Sequence, residues 1–152
     1  MLRLDDQLCF ALYSATNAVV RRYRPLLAEL GITYPQYLLL LVLWQDGPCT
    51  VGGLGDRLSL PPHGLSPLLD RLEQAGLVQR RHDSPDRRVV HVHLTTSGAE
   101  LEAAAAAVQR SVVCSTQLDS GELAGLREQL RELALRTAAD ERPTLTCAPV
   151  SA

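Results

Sequence analysis

Apolar residues recur at helical spacing from the start of the chain. Leu8, Leu12, Ala15, Val19 and the pair Leu26–Leu27 share one face, which predicts a long helix over about residues 4–30. Asp5 is the expected N-cap, and Gly31 fits the position just past the helix end. Pro35 opens the next element, where "YPQYLLLLVLWQDG" is apolar on nearly every side and reads as a buried helix ending near Asp46–Gly47. A shorter helix follows in "TVGGLGDRLS", with Thr50 able to cap it and Val51, Leu54 and Leu58 on one face. Its three glycines weaken it in isolation, so packing has to hold it.

After "LPP" a further helix is predicted from about Pro62 to Ala75, with Leu65, Leu68, Leu69 and Leu72 as its buried stripe and Gly76 as its stop. The period then changes. "LVQRRHD" and "RVVHVHLT" alternate apolar and polar residues around the turn-rich "SPDR", which predicts a β-hairpin. Thr95–Thr96 cap an alanine-rich helix to about Ser115, and a last amphipathic helix covers about Ser120 to Ala139. The expected fold is therefore mainly α with a two-stranded β-wing: a winged helix-turn-helix at about 35–95, flanked by long helices at about 4–30 and 96–139. Residues 1–139 form a single domain in this reading, and the proline-containing, aperiodic tail 140–152 is expected to be disordered. The flanking helices carry apolar faces too wide for so small a domain to cover, so a homodimer interface is their natural place of burial.

Composition narrows the class. The 152 residues fit one domain, and 46% apolar with 21% charged residues is a globular balance. The chain has no apolar run of membrane-spanning length, and Asp5–Asp6 make its start acidic, unlike a secretory leader; a cytoplasmic location without membrane contact is expected. Cys9, Cys49, Cys114 and Cys147 lie far apart, without CxxC or Cys/His ligand spacing, so neither a metal nor a cofactor is expected. In a reducing compartment any disulfide among them would be transient. All 15 basic residues are arginine, yet the net charge is −2, so nucleic-acid binding requires a local basic surface.

Such a surface is legible. In a helix-turn-helix the second helix enters the major groove with its N-terminal residues near base edges. Here that helix is "PPHGLSPLLDRLE", which presents His63, Gly64 and Ser66, with Arg71 on the polar face in reach of phosphate or base. At the hairpin tip Arg87 and Arg88 stand beside Asp86, placed for a narrow minor groove, and Asp86 is positioned to set the direction of Arg88. Any one arginine is by default a solvated charge; two at the tip of a hairpin behind a recognition-type helix are better explained by double-stranded DNA. Arg57, Arg80 and Arg81 are weaker candidates for phosphate contacts.

The stretch "LLDRLEQAGLVQRRHDSPDRRVVHVHLTTSG" resembles the MarR family of winged-helix repressors, whose wing carries Asp-x-Arg followed by a strand ending in Leu-Thr, matched by Asp86, Arg88 and Leu94–Thr95. The resemblance covers about Leu4 to Ala139 and implies a homodimer, formed by the terminal helices, on a palindromic operator. Pro61, Pro62 and His63 depart from the small polar and acidic stretch usual in relatives, which leaves the operator and its base-reading residues open.

Within that family "LDDQLCFALY" with "ITYPQYLLLLVLW" is similar to the OhrR group of organic-hydroperoxide-sensing repressors. The similarity implies a sensing thiol at Cys9, two phenols hydrogen-bonded to it at Tyr13 and Tyr23, and a resolving thiol at Cys114 reached across the dimer, with Cys147 as its rival. An organic hydroperoxide would be the inducer and a thiol reductant the resetting partner. Spacing agrees with a dimer. Cys9 and Tyr13 are neighbours on one helical face, whereas Tyr23 lies roughly 21 Å further along and can meet only the Cys9 of a second, antiparallel copy. The helix dipole and phenol donors favour a thiolate at Cys9, while Asp5 and Asp6 oppose it. Phe10, Tyr34, Tyr37 and Trp44 would supply an apolar surround suited to organic peroxides, and Cys49 reads as structural. The rival readings are a MarR-type repressor induced by a bound aromatic ligand, a thiol peroxidase, and a redox-insensitive DNA binder.

Overall fold

The computed structural model describes residues 3–82, 86 and 88–138. The expectations for Arg87, for Cys147 and for the tail fall outside the described residues. The elements are α1 (Leu8–Glu29), α2 (Tyr34–Asp46), β1 (Cys49–Thr50), α3 (Val51–Leu58), α4 (Pro62–Gln74), β2 (Val78–Arg81), β3 (His91–Leu94), α5 (Thr96–Ser115) and α6 (Ser120–Ala138). Two compact units divide after Val112, within α5. Among the described residues no single helix is long and apolar enough to cross a membrane.

The first helix begins later than its periodicity suggested, and Asp5 is not its cap. Leu4 to Gln7 close a turn in which the Gln7 N–H donates to the Leu4 carbonyl at 3.1 Å, leaving Asp5 and Asp6 at the corners. Gln7 becomes the N-cap, and its amide donates back to the Arg3 carbonyl rather than capping the helix. At the starts of α2, α3 and α5 local chemistry prevails. The Thr33 N–H donates to Gln36 Oε1 at 2.7 Å ahead of α2, and Thr50 Oγ1 accepts from the Gly53 N–H at 3.0 Å ahead of α3. Thr95 Oγ1 accepts from the Gly98 N–H and donates to the Gly76 carbonyl, joining the start of α5 to the turn after α4.

Helices α3 and α4 are the helix-turn-helix. Ser59 closes α3 in the left-handed region at φ 53°, and the Leu60 N–H returns to the Gly55 carbonyl at 2.9 Å. Glycine is required at position 55, because a Cβ there would press on the Leu60 carbonyl oxygen and Leu65. The core of the first unit gathers Leu27, Leu39, Leu40, Leu43, Leu54, Leu65, Leu69, Leu72, Val78 and Val92, with Ala105, Val108 and Val112 from α5.

The sheet has three strands rather than two, in the order β1-β3-β2 and antiparallel throughout. Cys49 pairs with Val92 and Thr50 with His91, while Val78 to Arg81 pair with Leu94 to His91. A two-residue strand is too short to show alternation, so β1 had no signature in the sequence. Helix α6 is held by a reciprocal cap: Asp119 Oδ1 accepts from the Gly121 and Glu122 N–H groups, and Glu122 Oε2 accepts from the Asp119 N–H. It buries no residue within its chain and leaves Leu126, Leu130 and Leu135 exposed.

Candidate nucleic-acid interface and thiol site

Helix α4 buries Leu65, Leu69 and Leu72, so its opposite face is presented outward. Pro61 is the N-cap, in the extended conformation that the following Pro62 enforces. His63, Ser66 and Arg71 are exposed on that face and Gly64 is partly exposed. Among the described residues Arg71 makes no ion pair. This is the arrangement of a helix free to enter a major groove.

At the wing, Arg88 turns onto Asp86. Its backbone N–H and its Nε both donate to Asp86 Oδ1, at 3.0 and 3.2 Å, and Nη2 donates to Oδ2 at 3.3 Å. These bonds hold the Asp86 carboxyl below its ordinary value. The Arg88 side chain nevertheless remains 92% exposed, aimed and still available. The weaker phosphate candidates behave differently. Arg57 is paired with Asp46 at 3.0 Å, and Arg80 is committed to three acceptors on α4; only Arg81 is exposed without an ion pair among the described residues.

Cys9 is the second residue of α1 and is exposed, with its backbone N–H among the unpaired donors of a first turn that no side chain caps. Tyr13 stands one turn later and is 67% exposed, whereas Tyr23 is only 8% exposed, packed into the core. The two phenols therefore occupy unlike surroundings within one chain. Around Tyr23 the structure assembles an aromatic column that local spacing does not reveal. Its ring centroid is 5.1 Å from that of Tyr34 and 5.5 Å from that of Tyr37, and Trp44 follows at 6.5 Å from Tyr37. Burial pushes all three tyrosine hydroxyls above the ordinary phenol value, Tyr37 furthest, where Tyr23 and Tyr34 add to the effect.

Sequence reasoning assigned Tyr34 only to an apolar surround and missed its partnership with Tyr23. The tyrosines at 34 and 37, three apart at the start of a helix, were the available signal. Phe10 lies on the exposed surface of α1 and is not part of the column. Beside the column a cavity of about 310 Å³ opens between α2 and α5, lined by Tyr37, Leu41, Trp44, Glu102, Ala105 and Gln109.

The remaining thiols divide clearly. Cys114 is exposed on α5. Cys49 is half-buried and its thiol donates to the Gly47 carbonyl at 3.4 Å; burial, with Asp46 beside it, pushes it up and keeps it protonated, as a structural cysteine should be. No group of three His, Cys, Asp or Glu side chains able to hold a metal ion occurs among the described residues.

Residues 32–90 match the MarR family. The organic hydroperoxide resistance transcriptional regulator of Bacillus subtilis (strain 168) is 38% identical over 132 residues, covering 87% of this chain and 90% of that protein. AbfR is a protein of Staphylococcus epidermidis. Its reduced form bound to DNA is 34% identical with a TM-score of 0.73, covering 90% of this chain and 95% of that one. Its disulfide form is also 34% identical, with a TM-score of 0.63, covering 90% and 91%.

Proposed function

This chain belongs to the MarR family of DNA-binding transcriptional regulators, and from that premise we propose that it is a homodimeric repressor released from its operator when an organic hydroperoxide oxidises Cys9. Its relatives are regulators and not enzymes, which sets aside the thiol-peroxidase reading.

The observation that carries the proposal is the position of Cys9, exposed at an uncapped helix N-terminus at the head of the helix that also bears Tyr23. The chemistry balances. The Cys9 thiolate attacks the distal peroxide oxygen and the O–O bond breaks; the sulfur is oxidised to sulfenic acid and the peroxide is reduced to an alcohol. The Cys114 thiol of the second subunit then displaces hydroxide from that sulfur, forming an intersubunit disulfide and water. A thiol reductant reverses the bond. Tyr13 and Tyr23 are the phenol donors for Cys9 in this reading, Tyr23 serving the opposite copy, and the apolar residues of α6 provide the surface on which two copies join. The B. subtilis relative is named for organic hydroperoxide resistance, and AbfR exists in reduced and disulfide forms, which supports an oxidisable switch.

On DNA, α4 occupies the major groove through His63, Gly64, Ser66 and Arg71, and the wing brings Arg88, steered by Asp86, to the minor groove. Arg87 belongs to the same proposal by its place in the sequence.

The test is a gel shift of reduced protein with and without stoichiometric cumene hydroperoxide, comparing wild type with Cys9→Ser. Release of wild type but not of the variant supports the proposal; equal release of both rejects it. The cavity between α2 and α5 favours a second reading, in which an aromatic molecule bound beside Trp44 is the inducer. That reading requires release of both proteins by the ligand without any oxidant.

A further inference from the structure

Arg80 stands on the wing, yet its side chain lies along the recognition helix. Its Nη2 donates to Asp70 Oδ1 at 2.7 Å and to the Ser66 carbonyl at 3.5 Å, and its Nη1 donates to Glu73 Oε2 at 2.9 Å. The other oxygen of the Glu73 carboxylate accepts the Arg80 backbone N–H at 3.0 Å. Glu73 therefore holds both the main chain and the side chain of one β2 residue. The Arg80 side chain is only 26% exposed, and its bonds reach along α4 from Ser66 to Glu73. On the sheet side, Arg80 is paired with Val92 of β3, which is fully buried.

We infer that Arg80 is the positioning residue that sets the angle between the recognition helix and the wing, so that major-groove and minor-groove contacts are made in register on one operator. This rests on the DNA-binding reading and not on the redox switch. Two physical consequences follow from the geometry. The planar fork satisfies acceptors on successive turns along one face of α4 at once, which a point-charge ammonium cannot reproduce. The pairing also ties the C-terminal half of α4 to β2, since both Asp70 and Glu73 bond to Arg80. Arg80 acts through α4 and β2 rather than on DNA, so its loss should reduce discrimination between sequences more than general affinity for DNA.

The test measures fluorescence anisotropy of the full, thiol-reduced chain on two 30-bp duplexes across a salt series. One duplex is selected by the wild type from a random pool; the other is a scramble of it. Arg80→Ala should lose about tenfold or more on the selected duplex and less than about twofold on the scramble, with an unchanged salt slope. Arg80→Lys should fail to restore the ratio of the two affinities. Recovery by lysine, or equal loss on both duplexes with a shallower slope, would mean a phosphate contact and overturn the inference. So would a folded Arg80→Ala with the wild-type ratio. Should Arg80→Ala not fold, Asp70→Asn takes its place: a lowered ratio supports the inference, and a ratio equal to that of wild type overturns it. A wild type that selects no duplex at all refutes the DNA-binding reading itself, and this inference with it.

Discussion

The Trp44 indole N–H donates to the Gly98 carbonyl at 2.9 Å, joining α2 to the first turn of α5 across 54 positions of sequence. Gly98 is also pressed against the start of the wing, where a Cβ would overlap the Leu77 carbonyl and crowd Leu94. These two contacts fasten the DNA-binding half to the helix that leaves it. Gly98→Ala should therefore destabilise the chain by about 3 kcal/mol or more, since backbone has to move to admit the methyl group. Trp44→Phe should cost about 1–3 kcal/mol by leaving a carbonyl without its donor and trimming the packed ring. Thermal unfolding of both variants checks the order.

Cys114 is exposed on α5 and Cys49 is half-buried and hydrogen-bonded. After treatment with cumene hydroperoxide, non-reducing gels should show a covalent dimer for wild type and for Cys49→Ser. Cys114→Ser should remain monomeric on the same gel. A dimer that persists in Cys114→Ser but disappears in Cys147→Ser would transfer the resolving role to the tail.

The hydroxyls of Tyr23, Tyr34 and Tyr37 are all raised above the ordinary 10.0 by burial. Folding thus favours the protonated phenols, and the unfolded chain releases those protons first. This contribution to stability is complete below pH 10 and is lost as pH rises through the higher values of the folded state. The thermal midpoint should fall as pH rises above 10, and tyrosinate absorbance should show a late phase that shrinks in Tyr37→Phe. A midpoint indifferent to that pH range would contradict the burial of the column.

Asp86 carries the same sign of charge as DNA and yet holds Arg88 by three hydrogen bonds. If its role is to aim that arginine, Asp86→Ala should weaken operator binding even though it makes the wing more positive. Arg88→Ala should weaken binding by about 1–3 kcal/mol and lower the salt slope by about one. Tighter binding by Asp86→Ala in an anisotropy titration would show that Asp86 only repels the backbone.

Much of the architecture was legible because it is written in local pattern. The apolar stripe Leu65, Leu69 and Leu72, the threonine caps at 50 and 95, and the Ser120 start of α6 are all found where periodicity and capping chemistry put them. The winged helix-turn-helix followed from the order of those elements. Asp5 was misjudged as a cap because its type is right for one, but the turn closed by Gln7 and Leu4 intervenes.

What the amino-acid order determined by itself was each element, its buried face, and the residue types at the wing and at the head of α1. Tertiary structure alone decided which of these meet. Tyr34 reaches Tyr23 because α2 folds back on α1; Cys49–Thr50 becomes a strand because β3 passes beside it; Arg80 turns from a free cation into a clamp because α4 lies within reach of β2. The reason is the range of the forces involved. Hydrophobic periodicity and capping act within a few residues and leave a trace in any short window, whereas a hydrogen bond or ring contact between distant positions exists only once packing has brought them together.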